Sequence, residues 1–453
     1  MRRLSMGTWK FVVFFVAIAW LTLACATATA SEWPCYKGDA ARSGVTDEEL
    51  TLPLVKLWRY EPSQPPRPAW PEPGKEVHRL DFDYAPQPVV AGGMVYFGTS
   101  SDDSVRALDA ATGAVKWRFT TGGPVRLAPH IWDRKCYVTS DDGFLYCLDA
   151  ATGELTWKFH AAPGNRKMLG NGRMISRWPC RSGALVVDGV VYVTAGMWPS
   201  EGVYLYALDA QTGEQLWCNT TNLKYRLQPH GGSSAFTGVC PQGYMLASDD
   251  MLMVPSGRAT PGVYNRRSGE LIYYQPYLYL EPYGDENWGN RANGGAWITI
   301  AGDVFFNPVH TPGAPDIDVH LGESPPRPGD GMGVWSLQTG RKKLTLPGKY
   351  RVLVAGGILY AVGNGELQAI DLKAWRQSGK LEGCVKWTVP QPRSYSIAMA
   401  GHVLLLGARG TLSGFDSATG RQVWQADLDG QVRGIAVAEG RVMASTSKGE
   451  VVC

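Results

Sequence analysis

The sequence predicts an all-β fold: an eight-bladed β-propeller of four-stranded antiparallel blades, its ring closed by an N-terminal strand joining the C-terminal blade. Three observations predict it. A five-residue turn motif recurs with a tryptophan at a fixed distance. Three short apolar runs precede each copy. The two ends of the chain carry complementary parts of one repeat.

The turn motif is Asp109-Ala-Ala-Thr112-Gly113 followed by Trp117. It returns at Asp149 to Gly153 with Trp157, at Asp209 to Gly213 with Trp217, and at Asp416 to Gly420 with Trp424. Asp and Thr side chains bond the backbone of a tight turn, and Gly supplies a positive φ. Looser copies keep the spacing at Asn265, Gly269 and Tyr273, and at Ser336, Gly340 and Leu344. Between Asp371 and Trp387 the spacing is widened by an insertion.

The runs before the first motif are Gln87 to Val90, Met94 to Phe97 and Val105 to Leu108; the tryptophan lies on a fourth run, Val115 to Phe119. Gly and Asp pairs such as Gly92-Gly93 and Asp188-Gly189 separate them. Four short strands per repeat cannot bury both faces alone, so repeats must stack.

The final Gly449-Glu-Val-Val-Cys453 aligns with Gly143 to Cys147, a third strand, and Trp58 near the other end stands on a fourth strand without its predecessors. Joining the two makes a composite repeat, and closure removes exposed sheet edges. The count is then eight, or seven if the degenerate segment near residue 340 is an insertion.

Residues 1–30 read as a secretory signal peptide: Arg2, Arg3 and Lys10, then an apolar run from Phe11 to Leu23, then the small-x-small site Ala28-Thr29-Ala30. Residues 31–453 are expected to form one domain, periplasmic or secreted. Lipid attachment at Cys25 is the alternative route. The chain carries 44 basic and 41 acidic residues, and removing the three basic residues of the leader leaves 41 of each. A neutral chain gives no electrostatic reason to bind nucleic acid. No later segment is long and apolar enough to span a bilayer.

The Asp-x-x-Thr-Gly-x-x-x-Trp pattern, with the opening Trp33 to Gly44, resembles the tryptophan-docking repeats of PQQ-type (quinoprotein) propellers over residues 33–453. The resemblance implies that Trp58, Trp117, Trp157, Trp217, Trp387 and Trp424 each pack on a neighbouring blade. It leaves activity open, because the superfamily holds both quinone-dependent dehydrogenases and non-catalytic scaffolds. A dehydrogenase would carry PQQ with Ca²⁺ on the axis, and often adjacent cysteines, which this sequence lacks.

The turn motifs share one face of the ring. The long insertions, at 63–83, 161–180, 196–202, 219–235, 277–295 and 310–331, share the other, which is the expected docking face for a protein, peptide or glycan. Arg126, His130, Arg177, Arg181, Arg226, His230 and Arg291 are the candidate ligand funnel there, with Arg351, Arg393 and Arg433 at comparable first-strand positions. Two outcomes stand open: the guanidiniums receive an anionic ligand, or they pair with acids and carbonyls and join the blades. Trp70, Trp178, Trp198 and Trp288 are candidate exposed aromatics on the same loops. His310, Asp316, Asp318, His320 and Glu323 are metal-type residues, but their loop reads as solvated, and no metal site is assigned. A two-residue turn at Asp141-Asp142 would set Cys136 opposite Cys147, as a disulfide or as two buried thiols.

Overall fold

The computed structural model describes residues 31–70, 80–220, 224–227, 234–257, 259–274, 296–309 and 331–453. Six four-stranded antiparallel sheets follow one another along the chain. Blade one is Val89–Ala91, Met94–Thr99, Ser104–Asp109 and Val115–Thr120. Blade two is His130–Trp132, Lys135–Thr139, Phe144–Asp149 and Leu155–His160, and blade three starts at Leu185–Val187. Blades four, five and six start at Leu246–Ser248, Thr299–Ala301 and Arg351–Ala355. The segment around residue 340 therefore builds a sheet of its own, blade five.

A seven-stranded sheet carries the rest. Its strands Val403–Asp416 and Gln422–Ala438 bend at Gly410 (φ 82) and Gly430 (φ 85). We call the part opened by Ser394–Ala400 blade seven and the part beyond Gly430 blade eight. Blade eight is completed by Arg59–Tyr60, which pairs antiparallel with Val451–Val452. The first and last described parts of the chain thus share a sheet.

The core lies between blades rather than in one mass. Val89, Val105 and Ala107 of blade one pack with Cys136, Val138 and Leu148 of blade two, and Tyr137, Leu145 and Cys147 face blade three. This alternation is the period-two signature of strands buried on both faces. It also decides the cysteine question. The register pairs Cys136 with Leu148 and Tyr137 with Cys147, one residue off the pairing expected, because the last pair, Thr139 with Leu145, encloses an odd number of residues, five, in place of two. One residue of slip sends a side chain to the opposite face. Cys136 and Cys147 are consequently two buried free thiols on opposite sides of one sheet, the second of the two alternatives. Alkylation of the denatured protein without reductant should label both.

At each turn the Asp carboxylate fastens the backbone. Asp149 Oδ1 accepts from the Ala151 and Thr152 amides, both at 2.9 Å, and from the Thr152 hydroxyl at 3.1 Å. The turn glycine then meets the ring of the preceding blade: Gly113 faces Trp58, Gly153 faces Trp117, Gly213 faces Trp157 and Gly420 faces Trp387. The Trp58 and Trp117 indoles donate to the carbonyls of Ala110 and Ala150, each at 2.9 Å. In the looser repeats Trp217 lies against Gly269, and Tyr273 takes the indole's place against Gly340. Trp424 donates instead to the carbonyl of Leu54 at 2.9 Å. The insertion after Asp371 is a helix, Leu372–Ser378, capped by the Asp371 carboxylate on the Ala374 amide and ended by Gly379 at φ 70. No helix among the described residues is long and apolar enough to cross a membrane.

Candidate functional site

Two segments outside the four-strand repeat occupy the centre of the ring, the first of them ending in Val45–Thr46, which pairs in parallel with Met399–Ala400 of blade seven. The first is Trp33 to Thr46. Its carbonyls accept from first-strand amides of five blades, one, two, four, five and seven: Trp33 from Val90, Pro34 from Ile131, Ala40 from Ala247, Ala41 from Ile300 and Gly44 from Met399. Arg42, almost wholly buried, fixes the segment through the carbonyls of Met245, Tyr36 and Asp39 at 2.9–3.0 Å. Tyr36 stacks on Tyr244 with ring centroids 3.7 Å apart and planes 8° from parallel.

The second segment is Leu80 to Gln87, and it brings in two buried carboxylates. Asp83 Oδ2 meets Arg126 Nη1 at 2.7 Å and the Ala69 amide at 2.7 Å. Arg126 Nε donates to Asp141 Oδ2 at 2.6 Å, and Arg181 reaches both oxygens of Asp141 at 3.0–3.1 Å. Asp81 accepts from the Trp297 indole at 2.6 Å and from Arg433 Nη1 at 2.8 Å. Burial pushes both Asp83 and Asp141 up. At Asp141 the charges of Arg126 and Arg181 outweigh burial and hold the carboxyl below its usual range, whereas at Asp83 burial prevails.

The sequence-predicted funnel is divided by this arrangement. Arg126 and Arg181 sit in buried ion pairs, the second of the two outcomes left open. Arg177 lies apart, half-exposed and paired with Glu201. His130, expected on the rim, is buried in the first strand of blade two, where its Nδ1 accepts from the Val186 amide at 3.1 Å. Burial, and then Arg42, push its pKa down to about 3. Arg226 lies in the strand Lys224–Leu227; its side chain, His230, Arg291, Trp288 and the loop from His310 to Glu323 fall outside the described residues. Asp81 and Asp83 were missed because they lie within a long insertion. The signal was the run Leu80-Asp-Phe-Asp-Tyr84, acids alternating with apolar residues inside a loop.

His130 makes a testable contribution. It is neutral in the fold and titrates near 6.5 when unfolded. Its depressed folded value means that stability is lost as pH falls from about 6.5 towards 3, by up to ~1.4 kcal/mol per pH unit. His130→Asn should flatten the stability profile across that window in denaturant titrations at several pH values.

The described residues do not fit PQQ with Ca²⁺. No group of three or more His, Cys, Asp or Glu among them is placed to hold a metal ion. Asp83 and Asp141 are engaged by guanidiniums, and Trp33 to Thr46 crosses the centre.

A family model described as outer membrane protein assembly factor BamB matches residues 57–131, 101–307 and 373–453. The chain belongs to this family. Its PQQ-type repeats are those the sequence shows. Among solved structures, BamB from Moraxella catarrhalis is 15% identical with a TM-score of 0.53, covering 83% of this chain and 96% of that one. The computationally designed Ika8 protein is 13% identical with a TM-score of 0.52, covering 84% and 99%. A europium-containing methanol dehydrogenase is 14% identical with a TM-score of 0.48, covering 91% and 89%. At these identities the likeness shows the β-propeller fold alone. No curated protein matches significantly.

Within the family fold, the blade-to-blade insertion at 161–180 forms a hairpin, Lys167–Gly170 with Arg173–Ser176, that pairs with no blade. Arg173 ties it to the carbonyls of Ser100 and Ser101 and to Asp103, and Asn171 donates to the Pro68 carbonyl at 2.9 Å. Leu169 and Met174 stand directly opposite each other across the hairpin, 69% and 57% exposed. Trp198, 41% exposed, lies edge-on to Trp70 at 5.8 Å. Trp178 is tied down, its indole donating to the Glu201 carbonyl at 2.7 Å.

Proposed function

We propose that this chain is an exported, non-catalytic propeller that docks a protein or peptide partner on its long-loop face. The observation that carries the reading is the Leu169–Met174 pair. Two large apolar side chains are held in register on a hairpin anchored by Arg173, where folding of this chain leaves them uncovered. Exposed apolar groups gathered on a rigid element suit a partner surface. The family description, an assembly factor, agrees with a protein partner. The filled centre speaks against a quinone-dependent alcohol or sugar dehydrogenase.

A photo-crosslinking residue at position 169, compared with one at exposed Leu216 on the outer strand of blade three, tests the reading. Position 169 should give a discrete adduct that Met174→Asp removes by about tenfold, as expected for losing an interface contact worth more than 1 kcal/mol. Equal or absent adducts at both positions would reject it.

A further inference from the structure

Arg351, Arg393 and Arg433 stand at the starts of the first strands of three successive blades, six, seven and eight. Arg351 and Arg433 are buried, and both approach Asp81 Oδ2, at 3.6 Å and 2.8 Å. Arg393, partly exposed, lies over the rings of Tyr350 and Tyr395 at 5.6 Å and 5.3 Å. Arg433 lies over Tyr395 as well, at 4.8 Å, and over Tyr84 at 4.8 Å. The other side of the ring is balanced, with Arg126 and Arg181 met by Asp83 and Asp141. Here three guanidiniums stand near one carboxylate among the described residues; their other acceptors are neutral, the carbonyls of Tyr395 and Tyr350 for Arg351, each at 3.1 Å, and Gln431 Oε1 for Arg433 Nε at 2.8 Å. Two of their nitrogens, Arg433 Nη2 and Arg393 Nε, are buried with no acceptor among those residues; Arg126 Nη2 on the other side is too, so it is the shortage of carboxylates that sets this side apart. Lys37 adds to the excess: burial, then Arg351, push its ammonium down to about 8. A guanidinium does not shed its proton, so an unmatched buried one calls for an anion.

We propose that this cluster binds a phosphate-type dianion, either inorganic phosphate or a phosphomonoester. The guanidinium fork matches phosphate oxygens, and two negative charges offset the excess of two among these three arginines and Asp81. The proposal is independent of the partner-docking reading. It is tested by calorimetric titration of the purified protein at constant ionic strength with inorganic phosphate, with glycerol phosphate and with chloride. One equivalent of phosphate or of the ester should bind, chloride should be silent, and the bound form should unfold at a higher temperature. Binding of the free ion alone, or of the ester alone, identifies the source. Arg393→Gln, at a partly exposed site, should keep the unliganded melting temperature and weaken binding about tenfold or more, the loss of one charge-assisted contact. No heat and no thermal shift with either phosphate source would overturn the proposal. So would unchanged affinity in Arg393→Gln.

Discussion

Asp141→Ala is expected to destabilise the protein by about 3–5 kcal/mol at pH 7, the cost of leaving buried guanidiniums without their partner. Among the described residues Asp141 alone bridges Arg126 and Arg181, and all three side chains are about 1–2% exposed. Water cannot take its place there. The pH dependence follows from the sign of the shift. The folded Asp141 carboxyl titrates below its unfolded value near 3.9. Its stabilisation is therefore complete above the unfolded value and is lost as pH falls through the folded one. Denaturant unfolding of wild type and variant should show the gap narrowing below about pH 4. Asp83, whose folded value is raised by burial, has the opposite sign, so Asp83→Asn should cost less at pH 7 than Asp141→Ala. Equal stability of Asp141→Ala and wild type at pH 7 would refute the account.

Gly153→Ala is expected to cost about 2–5 kcal/mol. Two terms add: about 1–2 kcal/mol for a side chain at positive φ, and about 1–3 kcal/mol for forcing the packed ring aside. At φ 75, a Cβ would come within 2.6 Å of the Trp117 ring. Gly93 separates the two terms, because it has φ 73 with nothing within 4 Å of its Cβ position. Gly93→Ala should show the backbone term alone, and the difference between the two variants measures the contact between blades one and two. Identical losses would mean that the ring yields freely and that the glycine serves only the turn.

The repeats were legible because their determinants are local. An Asp-x-x-Thr-Gly turn closes by bonds within five residues, as at Asp149, so its spacing survives in the sequence whatever surrounds it. Alternating runs such as Met94–Thr99 mark strands for the same reason. The join of Arg59–Tyr60 to Val451–Val452 was legible too, since a strand missing from one end was present at the other. The helix Leu372–Ser378 was seen only as an insertion.

The candidate site was legible only in half. The first-strand arginines repeat with the blades, so their convergence could be foreseen. Their partners could not. Asp81, Asp83 and the crossing segment from Trp33 to Thr46 lie outside the repeat, and Asp83 meets an arginine 43 positions away, Asp81 one 352 away. What the sequence by itself determined is the repeating β framework, because turns and strand faces depend on neighbours a few residues apart. The tertiary structure alone decided that Arg126 and Arg181 are neutralised, that Cys136 and Cys147 face opposite ways, and that Leu169 and Met174 stand uncovered. Each of these depends on register or on charge pairing between distant segments, and a one-residue slip or a single loop carboxylate reverses the outcome.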